Sequence, residues 1–208
     1  MRPKTDARRL QMKSSALAVF CAKGYTAATV SDIARRAKVA HGTFYLYYDS
    51  KKAAFLDLME DFARTVLSCF DELSTAQMPE SGATADDLAG LLRRGYSAYF
   101  SLISENRRLA RLFFRESALA EPDLARKRAE IIAEFAARAE VLTRRGREVG
   151  LLPEINAPVA ALAVVGIIER VTAAFVSENN RFTEDELARE LARFEVFGIA
   201  GKGGSHED

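Results

Sequence analysis

The side chains best suited to intermolecular chemistry stand close together, in the run His41-Gly42-Thr43-Phe44-Tyr45-Leu46-Tyr47-Tyr48. On a helix, Phe44 and Tyr48 are one turn apart and share an inward face, while Gly42, Thr43, Tyr45 and Leu46 point away from it. An outward display of bare backbone, hydroxyl, phenol and aliphatic tip makes little sense in water. It suits hydrogen bonding and close contact with base edges and phosphates. Gly42 would let the backbone approach a duplex closely, and His41 would meet a base or a phosphate. Leu46 would touch a thymine methyl or pack on a neighbour. No Arg, Asn or Gln lies between His41 and Tyr48, so the strongest bidentate base readers are missing there. Specificity would then rest on Thr43, Tyr45 and Leu46, on Ser31 or Arg35 from the preceding helix, and on DNA shape.

These residues need a scaffold, and the flanking sequence supplies one. Thr29 is a natural N-cap with Asp32 in the place of a capping-box acid, and Ile33, Ala34 and Ala37 give the helix after it a small apolar face. Lys38, Val39 and Ala40 make a turn, and a second helix is expected from about His41 to Tyr48. That is a helix-turn-helix, whose second helix enters the DNA major groove. Residues 1–56 hold 11 Lys and Arg against 3 Asp, a net of +8, and the remainder holds 19 against 26, a net of −7. A nearly neutral chain thus divides into oppositely charged parts, and the basic part has the footprint of a polyanion partner. Ser50 reads as the next N-cap, yet Lys51 and Lys52 follow it where the helix dipole disfavours cations. Free N–H groups plus lysines at a helix start would form a phosphate clamp.

The run Ala16, Phe20, Gly24-Tyr25, Thr29-Val30, Ile33-Ala34, Ala37, Val39, Gly42-Thr43-Phe44-Tyr45, Tyr47-Tyr48 and Ser50-Lys51 resembles the N-terminal domain of the TetR (tetracycline repressor) family of bacterial transcription regulators. The resemblance implies an all-α homodimer with a three-helix DNA-binding domain, here residues 1–52. A larger helical ligand-binding and dimerisation domain would follow at 53–200, then a frayed tail at 201–208, with about nine helices in all. It also implies that Thr43, Tyr45 and Tyr47 contact groove and phosphate and that Lys51 is a phosphate lysine. Thr29, Ser31, Arg35, His41, Gly42 and Leu46 complete the candidate DNA contacts. One departure stands out: the family usually has Ser or Thr where this chain has Ala40, a poor cap for the recognition helix.

Composition bounds the alternatives. With 208 residues and 49% hydrophobic content the chain can bury a proper core. Cys21 and Cys69 are too few for a disulfide scaffold, which points to a reducing cytoplasm. Cys21 shares a helical face with Leu10, Leu17 and Phe20 and is expected in the core; Cys69 is expected in the core or a pocket wall. No apolar stretch follows the basic N-terminus as in a secretion signal. The longest apolar run, 157–168, is short for a membrane crossing. There is no nucleophile–base pairing, no histidine cluster and no phosphate-binding glycine loop, so neither catalytic residues, metal site nor cofactor is expected.

Beyond residue 50 the sequence predicts helices at 51–75, 84–104, 107–118, 122–149, 157–178 and 184–197, with a breaker-rich loop at 78–82. The stretch 157–176 is apolar nearly all round, with small Ala160, Ala161, Ala163 and Gly166, and Leu187, Leu191 and Phe194 stripe the last helix. Stacked on their own copies by a two-fold axis, these helices would make a four-helix dimer interface. Phe62, Phe70, Tyr96, Phe100 and Phe113, with Glu116 and Glu169 as polar anchors, are the candidate lining of an apolar effector pocket. The expected mechanism is a repressor released from a palindromic DNA operator when a small lipophilic molecule shifts the fourth helix. Corepression, redox sensing through a cysteine, and a nucleic-acid or membrane-surface adaptor without sequence preference are the other readings.

Overall fold

In the computed structural model, which describes residues 3–75, 84–116 and 121–199, the described residues form nine α-helices and no strand. They are α1 (Pro3–Ala27), α2 (Val30–Arg36), α3 (His41–Phe44), α4 (Lys51–Thr75), α5 (Ala85–Glu105), α6 (Arg107–Arg111), α7 (Pro122–Glu148), α8 (Ala157–Phe175) and α9 (Glu184–Ile199). The helix starts follow local chemistry. Thr29 Oγ1 accepts from the Asp32 N–H at 3.1 Å while Asp32 Oδ2 accepts from the Thr29 N–H, a complete capping box. Thr84 with Asp87 and Thr183 with Glu186 repeat the arrangement for α5 and α9. Ser50 Oγ caps α4 through the Ala53 N–H, Asn156 caps α8, and Pro122 opens α7. Gly150, at φ 76°, ends α7 in the left-handed region that favours glycine.

Two expectations about helices are corrected. The recognition helix does not run to Tyr48: α3 has four residues, and after it the Leu46 and Tyr47 N–H groups donate three residues back, to Thr43 and Phe44. The segment from Arg107 does not continue as one α-helix; at Leu112–Glu116 it becomes a π-helical turn. The expected loop at 78–82 and tail at 201–208 lie outside the described residues.

The chain divides into two compact units, residues 1–64 with 106–131 and residues 65–105 with 132–208. In the first, Met12, Ala16, Phe20, Ile33, Phe44, Phe55 and Leu58 are buried, and the rings of Phe20, Tyr25 and Phe55 meet with centroids 4.7 to 5.7 Å apart. The inward face of α1 is therefore Met12, Ala16, Val19 and Phe20 rather than one that includes Leu10, which is exposed. Cys21 is half-buried, its thiol 3.5 Å from the Arg108 carbonyl. In the second unit α5 packs along α9, and Leu88, Tyr99, Phe100, Ile103, Phe175, Ala188, Ala192 and Val196 are buried. α8 is 19 residues long with a mean hydropathy of 1.7, enough by length and composition to cross a membrane. It carries Glu169 and Arg170, however, and buries Ala160, Ala161, Val165, Thr172 and Phe175 inside the unit.

Candidate nucleic-acid interface and effector cavity

The first unit holds α3 by its two aromatic anchors. Phe44 and Tyr48 are buried with ring centroids 5.8 Å apart, as their one-turn spacing predicts. The Tyr48 hydroxyl donates to Asp57 Oδ2 at 2.6 Å, and Lys13 pairs with the same carboxylate at 3.0 Å. Burial alone would raise the Asp57 pKa, but Tyr48 and Lys13 hold it below the ordinary carboxylate value. The turn between α2 and α3 passes through Lys38 at φ 54°, an uncommon conformation for a side chain with a Cβ.

With this frame fixed, the outward residues are those expected. Tyr45 is 49% and Leu46 77% exposed; His41, Gly42, Ser31, Arg35 and the Thr29 cap are exposed, and Thr43 and Tyr47 are half-buried. The His41 and Phe44 rings meet Tyr45 edge-on at 5.5 Å each, which limits its freedom before any partner arrives. A Cβ on Gly42 would meet nothing within 4 Å, so the interior does not demand glycine there. Ala40 makes no side-chain cap, as its residue type predicts.

The basic residues are less available than their count suggests. Asp32 accepts from Lys23 at 2.8 Å and also pairs with Arg35; the Lys23 and Thr29 hydrogen bonds hold its pKa at about 2. Lys51 and Lys52, expected at phosphates, are both engaged within the chain. The Lys51 ammonium donates to the carbonyls of Tyr25, Thr26 and Ala28 at 2.8, 3.2 and 2.9 Å and sits over the Tyr25 ring, so its three N–H groups serve the chain leaving α1. That chain turns at Gly24, φ 75°, where the carbonyls leave the helical pattern. Lys52 pairs with Asp123 at 2.6 Å. Arg36 and Lys38, at the end of α2 and in the turn, are exposed and make no ion pair among the described residues. Sequence reasoning passed over both; the pairing of their neighbours with Asp32, Asp57 and Asp61 singles them out.

The second unit contains a cavity of about 140 Å³, walled by Cys69 and Phe70 of α4, Leu91, Tyr96 and Tyr99 of α5, Leu142 and Gly146 of α7, Val164 and Ile168 of α8, Glu195 of α9, and Leu152. Of the expected lining residues only Phe70 and Tyr96 are present. Phe62 and Phe113 belong to the first unit, where their rings pack at 4.7 Å. Phe100 is buried behind the wall against Tyr99 and Phe175. Glu169 is half-buried on α8 but does not line the cavity, and the Glu116 side chain lies outside the described residues. The acid that does face the cavity is Glu195. Its Oε2 accepts from the Tyr96 hydroxyl at 2.6 Å, and its apolar surroundings push its pKa up to about 7. Sequence reasoning missed it because Leu187, Leu191 and Phe194 set the expected face of α9. Leu187 and Leu191 are buried, but Phe194 is 59% exposed, and the inward face runs through Glu195 and Val196. A Cβ on Gly146 would lie 2.9 Å from Leu152 Cδ1, so the Leu152 side chain would have to shift to admit one.

Comparison with known proteins bears on the helix-turn-helix segment and on the fold. Residues 14–58 match the family model described as "Bacterial regulatory proteins, tetR family". Over 203 residues, 98% of each chain, the protein is 24% identical to an uncharacterized HTH-type transcriptional regulator, YdgC, of Bacillus subtilis. Among solved structures it is similar to the fatty acid degradation regulator FadR of Bacillus halodurans, with a TM-score of 0.77, 21% identity and 96% of each chain covered. It is also similar to the transcriptional regulator FadR of Bacillus subtilis in complex with stearoyl-CoA, with a TM-score of 0.75, 23% identity, and 91% of this chain and 98% of that one covered. At these identities the structural likeness establishes the shared fold.

Proposed function

Since residues 14–58 place this chain in the tetR family of bacterial regulatory proteins, we propose that it is a repressor that leaves a palindromic DNA operator when a small, mostly apolar effector enters the cavity of the second unit. The observation that carries the DNA half is the pairing of two buried anchors, Phe44 and Tyr48, with two exposed readers between them, Tyr45 and Leu46. A surface tyrosine and leucine side by side, held by a rigid frame, are useful against base edges and methyl groups. Arg36 and Lys38 supply the phosphate contacts, and Lys51 positions the domain rather than gripping DNA.

A second copy of the chain is the partner that completes the reader. α8 exposes Val159 and Leu162, at 60% and 63%, and α9 exposes Phe194 and Phe197; Ile167, Val171, Leu187 and Leu191 line an open apolar groove beside Phe194. Paired about a two-fold axis, these faces bury one another and set two copies of α3 on half-sites about 34–36 Å apart. α4 contributes residues to both units and puts Cys69 and Phe70 into the cavity wall. An effector that binds one position of α4 better than another shifts the reader by that difference in affinity. The stearoyl-CoA in the similar FadR structure supports a lipophilic class of effector.

The test is selection of duplexes from a random library with the purified protein, followed by anisotropy titrations. Wild type should bind the selected palindrome with a salt slope of several charges. Tyr45→Ala and Leu46→Ala should each lose about tenfold or more on the palindrome, near the 1–3 kcal/mol of a base contact, and little on random DNA. Equal losses on both duplexes would remove Tyr45 and Leu46 from the groove.

A further inference from the structure

We propose that the cavity of the second unit selects an apolar molecule bearing a single amine, and that Glu195 receives the ammonium. The proposal deepens the effector reading above and rests on it. The walls come first. Hydrocarbon from α4, α5, α7, α8 and Leu152 makes up most of the wall, and among the described residues no Lys, Arg or His lines it. A ligand carboxylate or phosphate would enter without a counter-charge and lose its hydration for nothing.

The carboxyl itself is the second observation. Tyr96 donates to Glu195 Oε2 at 2.6 Å, whereas Oε1 accepts no hydrogen bond from any described residue. The other polar groups of the wall are differently engaged. The Tyr99 hydroxyl shares a 2.8 Å hydrogen bond with buried Thr172, and the Thr143 hydroxyl donates to the Ala139 carbonyl at 2.9 Å. Glu195 thus brings to the wall a carboxylate oxygen to which no described residue donates, and the complement of that oxygen is an N–H donor; a charged one forms the stronger bond. An amine also differs from the phosphate-bearing stearoyl-CoA held in the similar FadR structure.

Size narrows the choice further. About 140 Å³ matches the engineered cavities that hold one benzene ring, so benzylamine, benzyl alcohol and benzoate are suitable probes of equal bulk. The titratable groups that share the cavity with Glu195 are Cys69 from α4 and Tyr96 and Tyr99 from α5; α7 and α8 contribute none, and α9 adds no other. The desolvated Glu195 carboxyl ionises at about 7, well below an alkylamine, which behaves like lysine. Amine binding should strengthen as pH rises through that value, and benzyl alcohol binding should not.

The experiment is calorimetric titration of the full-length protein with the three probes on either side of about pH 7, with operator binding measured in parallel. Benzylamine should bind at least about tenfold more tightly than benzyl alcohol above that pH, the worth of one charge-assisted hydrogen bond. Benzoate should bind weakest. Glu195→Gln should erase the preference for benzylamine over benzyl alcohol; should that variant fail to fold, the pH dependence of wild type decides. Preference for benzoate, no benzylamine binding, a flat pH response or an amine preference that survives in E195Q would each overturn the assignment. Failure of the regulator reading is separate: it would appear as amine binding through Glu195 in a protein with no sequence-selective DNA binding.

Discussion

Lys51 donates all three of its N–H groups to carbonyls at the end of α1. Lys51→Met leaves those carbonyls without their charged donor and should lower folding stability by about 1.5–3 kcal/mol, read from urea denaturation. Exposed Lys38 is the contrasting case: Lys38→Gly relieves its left-handed backbone, so stability should hold or rise slightly while DNA affinity falls on every sequence alike. Glu195 gives a pH test of stability. Its folded pKa of about 7 lies above the ordinary 4.5, so the folded chain holds that proton more tightly than the unfolded one. The associated stability is complete below about 4.5 and is lost as pH rises through about 7. Thermal melts should show that decline for wild type, and E195Q should flatten it. The sequence made Tyr45 and Leu46 legible because α3's inward anchors follow a simple spacing. It left Lys51 and Glu195 ambiguous because what a charge touches depends on residues 23 to 99 positions away.

Helix starts were legible for a local reason: a capping box needs only four consecutive residues, and Thr29–Asp32, Thr84–Asp87 and Thr183–Glu186 each form one. The expected end of the recognition helix and the single helix after Arg107 were not, because the chain tightens after Phe44 and widens at Leu112–Glu116 with no proline or glycine to mark either place. Ala40 is the weak point of the reader. Its extended φ of −64° and ψ of 148° already suit an N-cap, so Ala40→Ser should stabilise the protein by about 0.5–1 kcal/mol, measured by denaturant midpoint. Thr29→Ala should do the opposite by a similar amount. If Ala40→Ser also tightens operator binding, ordering of α3 is part of the free energy of recognition.

At the scale of the whole molecule, the apolar α8 and the striped α9 stood out in the sequence as candidate interfaces, since small and apolar residues crowd 157–176. The cavity did not, because it is assembled from five helices and a loop that share no local pattern. The exposed apolar residues make the proposed dimer testable: Leu162→Arg with Phe194→Glu should give a monomer by light scattering where wild type gives a dimer, and reduce palindrome affinity far more than binding to a single half-site. The most direct test of a sequence-reading repressor remains selection from random duplexes with the purified full-length protein at low salt. An enriched palindrome, bound by a dimer and lost on Tyr45→Ala, is the predicted result. No enriched sequence, or equal affinity for enriched and scrambled duplexes, would contradict it.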